Sequence, residues 1–131
     1  MKAWLPALGL LLAVGCKKVE FTSVTVAPAE RIAEIDTPAG SVRLTRGVAL
    51  AVSCAKDGAR CGNLQVATAA ENVASAYLSA TDELVAGGYV SDDSDATEEV
   101  IVITGNDVGK TTVEVNSDVG SSTLEVEVVA P

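Results

Sequence analysis

Apolar and polar residues alternate in short runs along most of the chain, and a period of two is typical of strands with one buried face. The runs lie at 22–27, 42–44, 48–54, 64–66, 100–103, 111–116 and 124–128. Residues 100–103 are four consecutive β-branched residues and are predicted to be buried on both faces of a sheet. Turn residues separate the later runs at Gly105-Asn106-Asp107 and Asp118-Val119-Gly120. Short strands at this spacing predict an all-β sandwich or barrel.

Residues 69–86 fit two structures. They are rich in alanine, and four of them fall at helical spacing: Val73, Tyr77, Ala80 and Leu84. The same residues fit a strand at 73–78, a turn at Thr81-Asp82 and a second strand at 84–90. We favour the strands because the segments on both sides have the strand pattern.

The first 15 residues have the features of an export signal. Lys2 is followed by an apolar stretch at 3–14, which is too short to span a bilayer because about 20 apolar residues are needed. Residues Ala13-Val14-Gly15-Cys16 resemble the lipobox of bacterial lipoproteins, with Ala13 in place of the usual larger aliphatic residue. The resemblance implies that Cys16 becomes the acylated first residue of the mature chain. The alternative is an ordinary secretory signal with an unmodified Cys16.

The lipoprotein resemblance predicts three parts of the chain: a signal peptide at 1–15, a lipidated tether at 16–18 and one domain at 19–131. In that family, an aspartate directly after the cysteine marks retention in the inner membrane. Lys17 occupies this position here, which implies anchoring in the outer membrane, on its periplasmic or its outer face.

The two other cysteines are predicted to form a disulfide. Acylation of Cys16 leaves an even pair, Cys54 and Cys61, in an oxidising compartment. Asp57-Gly58 between them is a strong signal for a two-residue hairpin turn, which places the two cysteines directly opposite each other. The alternative is a pair of buried free thiols.

Three segments resemble bacterial immunoglobulin-like domains of group 2. Residues 19–28 (VEFTSVTVAP) are similar to the opening strand, residues 102–115 to the characteristic Gly-x-Thr ending, and residues 121–129 to the final strand. The resemblance implies one immunoglobulin-like β-sandwich of about seven short strands. Such domains typically serve as stalks, spacers or adhesion modules and share no catalytic residues.

Composition excludes several functions. The formal net charge of −9 opposes binding to a nucleic acid backbone. The chain has no histidine, which removes Ser-His and Cys-His nucleophiles and histidine-ligated metals. Residues 105–111 (GNDVGKT) have one residue too few for a phosphate-binding loop and precede a strand pattern, so nucleotide binding is not expected. No cofactor is predicted.

The densest acidic cluster consists of Asp92, Asp93, Asp95, Glu98 and Glu99. Carboxylates are suitable ligands for Ca²⁺, but the spacing and the lack of a turn glycine do not fit an EF-hand loop. We therefore favour a solvated acidic loop over a Ca²⁺ site.

The predicted function is that of a lipid-anchored, non-enzymatic protein of the cell envelope. It would act in binding, adhesion or structural support, with the membrane as one partner and an envelope protein or polysaccharide as a possible second. One alternative is a Ca²⁺-dependent adhesion or regulatory module that uses residues 92–99. The other is an enzyme with an unrecognised active site.

Overall fold

A computed structural model describes residues 19–36, 40–80 and 99–131, which form ten β-strands in two sheets. The strands are β1 Glu20–Ser23, β2 Ala33–Asp36, β3 Ser41–Thr45, β4 Ala49–Lys56, β5 Ala59–Arg60, β6 Gln65–Thr68, β7 Ala74–Ala80, β8 Glu99–Gly105, β9 Gly109–Ser117 and β10 Gly120–Val129. None of the described residues belongs to a helix long and apolar enough to cross a membrane.

The strand order is that of an immunoglobulin-type sandwich. The first sheet runs β1-β4-β8-β7, with β5 beside β4, and all its pairs are antiparallel. The second sheet runs β2-β3-β10-β9-β6, in which only β3 and β10 are parallel. Seven of the strands correspond to the seven strands of an immunoglobulin-type sandwich. Four of them, β1, β4, β8 and β7, lie in the first sheet, and β10, β9 and β6 lie in the second. The predicted all-β sandwich is confirmed, and the three further strands are short additions to the sheets.

The core lies between the sheets and consists almost entirely of aliphatic side chains. In β10, Leu124, Val126 and Val128 are at most 1% exposed, while the glutamates between them point outward. The largest side chains with less than 2% exposure are Leu44, Leu50, Ile101, Ile103, Leu124, Val42, Val52, Val100, Val113, Val115, Val126 and Val128. In β3, β9 and β10 the buried residues alternate with polar ones, so each of these strands supplies one face to the core.

Strand β8 is buried on both faces, as its four β-branched residues predict. Ile101 and Ile103 face the core between the sheets. Val100 and Val102 belong to a second, smaller cluster with Ala51, and are 0% and 4% exposed. The central position of β8, between β4 and β7, accounts for burial on the core side.

The first strand ends earlier than the alternation of apolar and polar residues predicts. The alternation at 22–27 predicts Val24 and Val26 on one face, but β1 ends at Ser23 and Val26 is 90% exposed. The backbone amide of Val24 still donates to the Ala51 carbonyl at 2.8 Å. The next position changes partner, since the Thr25 hydroxyl accepts the Ala51 amide at 3.0 Å. The Thr25 side chain thus takes the hydrogen bond with Ala51 that a continued strand β1 would make through its backbone.

The return strand predicted at 64–66 lies in the other sheet. After the turn, only Ala59–Arg60 pairs with β4. Asn63 has a positive φ of 51°, and beyond it β6 pairs with β9 in the second sheet. The chain therefore crosses between the sheets directly after the hairpin.

In the described part of the ambiguous segment, residues 69–73 form a turn and the residues after them form a strand. Strand β7 spans Ala74–Ala80 and pairs with β8 along its whole length. Strand packing overrides the helical spacing because β8 offers a continuous partner. The predicted turn at Thr81-Asp82 and the strand at 84–90 lie outside the described residues.

Candidate functional site

The predicted disulfide is present at one end of the sandwich. Cys54 and Cys61 are bonded, with their Cα atoms 5.4 Å apart. Asp57 and Gly58 have φ values of 53° and 81°, as a two-residue turn of type I′ requires. The pairing of Ala55 with Arg60 fixes the register that the sequence predicts, because the cysteines follow as the next opposed pair.

Three hydrogen bonds tie this hairpin to the turn between β9 and β10. The Asp118 carboxylate accepts the Gly62 amide at 2.8 Å, and the Asp118 amide donates to the Gly62 carbonyl at 3.0 Å. Lys56 Nζ donates to the Val119 carbonyl at 3.2 Å. A Cβ atom at Gly62 would lie 2.6 Å from Asp118 Oδ2, so a side chain at this position would displace the Asp118 carboxylate. The sequence offered no sign of these contacts, because they join residues far apart in the chain.

The described chain begins at this same end. Val19 is 7% exposed, and one of its methyl groups lies 3.4 Å from the Cβ position of Gly120. Glu20 pairs with Ala55, next to the disulfide-bonded Cys54. We call this the disulfide-bonded end: Val19, the hairpin at 56–61 and the turn at 118–119.

The opposite end of the sandwich is formed by three turns. Gly47 donates its amide to the Gly105 carbonyl at 2.8 Å, and Asn106 donates its amide to the Val73 carbonyl at 2.8 Å. Val108, at the tip of the turn between β8 and β9, is 54% exposed. We call this the far end: the turns at 46–48, 70–73 and 106–108.

Only one member of the predicted Ca²⁺ cluster lies among the described residues. Glu99 is the exposed first residue of β8 and pairs with Ala80. Asp92, Asp93, Asp95 and Glu98, like the lipidation candidate Cys16, lie outside the described residues. Within 19–36, 40–80 and 99–131, no group of three or more His, Cys, Asp or Glu side chains is placed to hold a metal ion. Ca²⁺ binding at 92–99 stays an alternative to the solvated acidic loop.

The two buried threonines of the described chain have structural partners. The Thr45 hydroxyl accepts the Ile32 amide at 2.8 Å, and the Thr111 hydroxyl accepts the Ala70 amide at 2.9 Å. Both hydroxyls hold a connecting segment against a strand. They satisfy backbone donors that would otherwise lose a hydrogen bond on burial.

The outer face of the second sheet is an open, charged groove. Opposed residues alternate in sign across four strands, from Glu34 to Arg43, Glu127 and Lys110. The next row carries further carboxylates on β2 and β10, Asp36 and Glu125. We call this surface the charged face: Glu34, Asp36, Arg43, Lys110, Glu125 and Glu127. It suits a polar partner better than an apolar one. The sequence could not predict it, because the two strand pairs that build it, β2 with β3 and β9 with β10, lie far apart in the chain.

The ion pair between Arg43 and Glu127 on the charged face contributes little to folding. Arg43 Nε lies 3.5 Å from Glu127 Oε1, and the two side chains are 52% and 43% exposed. We expect Arg43→Gln to lower the free energy of unfolding by less than about 1 kcal/mol, because water screens exposed pairs. Urea denaturation at low and high salt measures this, and the difference should shrink at high salt. A large, salt-independent loss would contradict the solvent-exposed geometry.

Comparisons with known proteins found similarity only among solved structures. No protein-family model and no curated protein matches the chain. The crystal structure of domains 4 and 5 of the S-layer protein SbsC is 17% identical, with a TM-score of 0.46, over 83% of this chain and 54% of that one. The structure of SbsC domains 4–9 is 17% identical, with a TM-score of 0.48, over 84% of this chain and 15% of that one. The chain thus spans about half of the first structure and a much smaller part of the second.

Proposed function

We propose that the protein is a lipid-anchored, non-enzymatic protein of the cell envelope, acting in binding or structural support. The mature chain would begin at Cys16, carry acyl chains there and present the sandwich outside the cytosol. Two or three acyl chains hold a protein on a bilayer stably, since each buried CH₂ contributes about 0.8 kcal/mol. Lys17 after the cysteine supports the outer membrane as the address, by resemblance to lipoproteins.

The observation that carries this proposal is the Cys54–Cys61 bond. Disulfides persist in oxidising compartments, which supports reading residues 1–15 as an export signal. The chain has three cysteines, so the bond leaves only Cys16 for acylation. Val19, directly after the predicted tether, is buried in the fold.

The test is metabolic labelling of the protein in a bacterial host with labelled palmitate. We expect the parent to be labelled and to sediment with membranes, and Cys16→Ser to lose the label and move to the soluble fraction. The double variant Cys54→Ser with Cys61→Ser is the matched control, because it removes two other sulfur atoms and keeps Cys16. It should remain labelled. An unlabelled parent, or a Cys16→Ser variant that still sediments with membranes, would refute the anchor.

A further inference from the structure

We infer that the disulfide-bonded end of the sandwich faces the bilayer and that the far end points away from it. This inference rests on the proposed lipid anchor at Cys16. It adds which surface of the domain meets lipid and which surface is presented to a partner.

The first argument is the length of the tether. Cys16 and Val19 are separated by three peptide steps, which reach about 11 Å when fully extended. Val19 is only 7% exposed, and the next core residue, Phe21, is 3% exposed. The chain is therefore held in the fold from Val19 onward. Only the tether at 16–18 can extend between the lipid and the domain.

The second argument is the length of the domain. Strand β10 has ten residues, which corresponds to about 34 Å. It starts at the disulfide-bonded end, where Gly120 meets Val19, and its last residue bonds at the far end, where the Val129 carbonyl accepts the Arg46 amide. The tether is about a third of this length, so an upright domain holds the far end well away from lipid.

The third argument concerns a domain lying on its side. On the charged face, Glu34, Asp36 and Glu125 would lose water against the headgroups, which is costly for carboxylates. On the outer face of the first sheet, Val100 and Val102 are already buried, so contact with lipid would remove little of their surface from water. Tyr77, opposite Val102 on the same face, is 51% exposed, so lipid contact there would bury little more than part of one aromatic ring. The gain from lying flat is therefore small on either face.

Charge at the disulfide-bonded end is mixed. Among the described residues, Lys56 and Arg60 lie near Asp57 and Asp118, and the exposed Glu20 and Glu99 begin β1 and β8 at the same end. The covalent tether, and not attraction to anionic lipid, therefore sets the orientation. We expect the same orientation on zwitterionic lipid, which is the appropriate probe for a chain with a net charge of −9.

The experiment uses tryptophan emission. The only tryptophan of the chain is Trp4, inside the predicted signal peptide, so the processed protein has none. Ala59→Trp places an indole at the disulfide-bonded end, and Val108→Trp places one at the far end, both at exposed positions. Each variant is purified with its lipid, reconstituted in phosphatidylcholine vesicles and compared with vesicles of brominated phosphatidylcholine, which quenches indole on contact.

We expect Ala59→Trp to lose most of its emission in brominated vesicles and Val108→Trp to keep its emission. A flexible insertion of about 20 Gly and Ser residues between Lys18 and Val19 has a root-mean-square span of about 25 Å and should abolish the quenching of Ala59→Trp. Quenching of both variants would show a domain lying flat, and quenching of Val108→Trp alone or of neither would show another orientation. Any of these results overturns the inference.

A failure of the anchor itself gives a different signal. A parent protein that keeps tryptophan emission has retained Trp4, and a parent that does not float with vesicles has no lipid. Both results refute the proposed function before the orientation is measured. The two failures are therefore distinguishable in the same preparation.

Discussion

Replacing Leu50 by alanine will lower the free energy of unfolding by about 2–5 kcal/mol. Leu50 is 0% exposed and lies opposite Ile103 in the pair of β4 with β8. Strand β4 has partners on both sides at the centre of the first sheet, so the backbone cannot collapse into the cavity. Urea denaturation of the unlipidated Cys16→Ser protein measures the loss as a lower midpoint.

A pair of valine-to-alanine changes serves as the matched control. Val52→Ala removes the same atoms as Val26→Ala, but Val52 is 0% exposed and Val26 is 90% exposed. We expect Val52→Ala to cost about 1.6 kcal/mol for the lost burial plus a cavity contribution. Val26→Ala should change stability by less than about 0.5 kcal/mol. Equal losses would show that β1 continues past Ser23, as the alternation alone predicts.

Alternation predicted the strands that have one buried face. In β9, Val113 and Val115 face the core while Glu114 points to water, and this is the order that the sequence shows. The run at 100–103 was also interpretable because four β-branched residues have no polar side to expose. Both inferences depend only on the local pattern, which is why they hold.

The same pattern failed where a distant partner decides the structure. Val26 alternates with Val24, but the Thr25 hydroxyl occupies the Ala51 amide and the strand stops. Strand β2 at Ala33–Asp36 has too few apolar residues for the pattern to predict a strand. It forms because its backbone pairs with β3. Hydrogen-bond partners across the sheet are not encoded in the period of a single strand.

The same difference between local patterns and distant partners decides which candidate sites the sequence could predict. The Cys54–Cys61 bond was predictable because a local turn, Asp57-Gly58, determines which residues oppose each other. The charged face was not, since the register between β3 and β10 joins Arg43 to Glu127 across a long stretch of chain. Sites within one hairpin can be derived from sequence, whereas sites that span a sheet require the topology.

Reducing the disulfide will lower the free energy of unfolding by about 2.5 kcal/mol, the value that the chain-entropy relation gives for a loop of this size. The bonded cysteines are seven residues apart, and the closed loop restricts the unfolded chain only modestly. The measurement is urea denaturation of the Cys16→Ser protein with and without a thiol reductant. This background leaves Cys54 and Cys61 as its only cysteines.

The double variant Cys54→Ala with Cys61→Ala separates the bond from the burial of its sulfur atoms. The two side chains are 3% and 7% exposed, so this variant should lose more stability than reduction alone. Adding reductant to the variant should change nothing, because no bond remains to be broken. If reduction leaves the midpoint of the Cys16→Ser protein unchanged, the bond contributes nothing. The hydrogen bonds of Gly62 with Asp118 would then be what holds the crossover between the sheets.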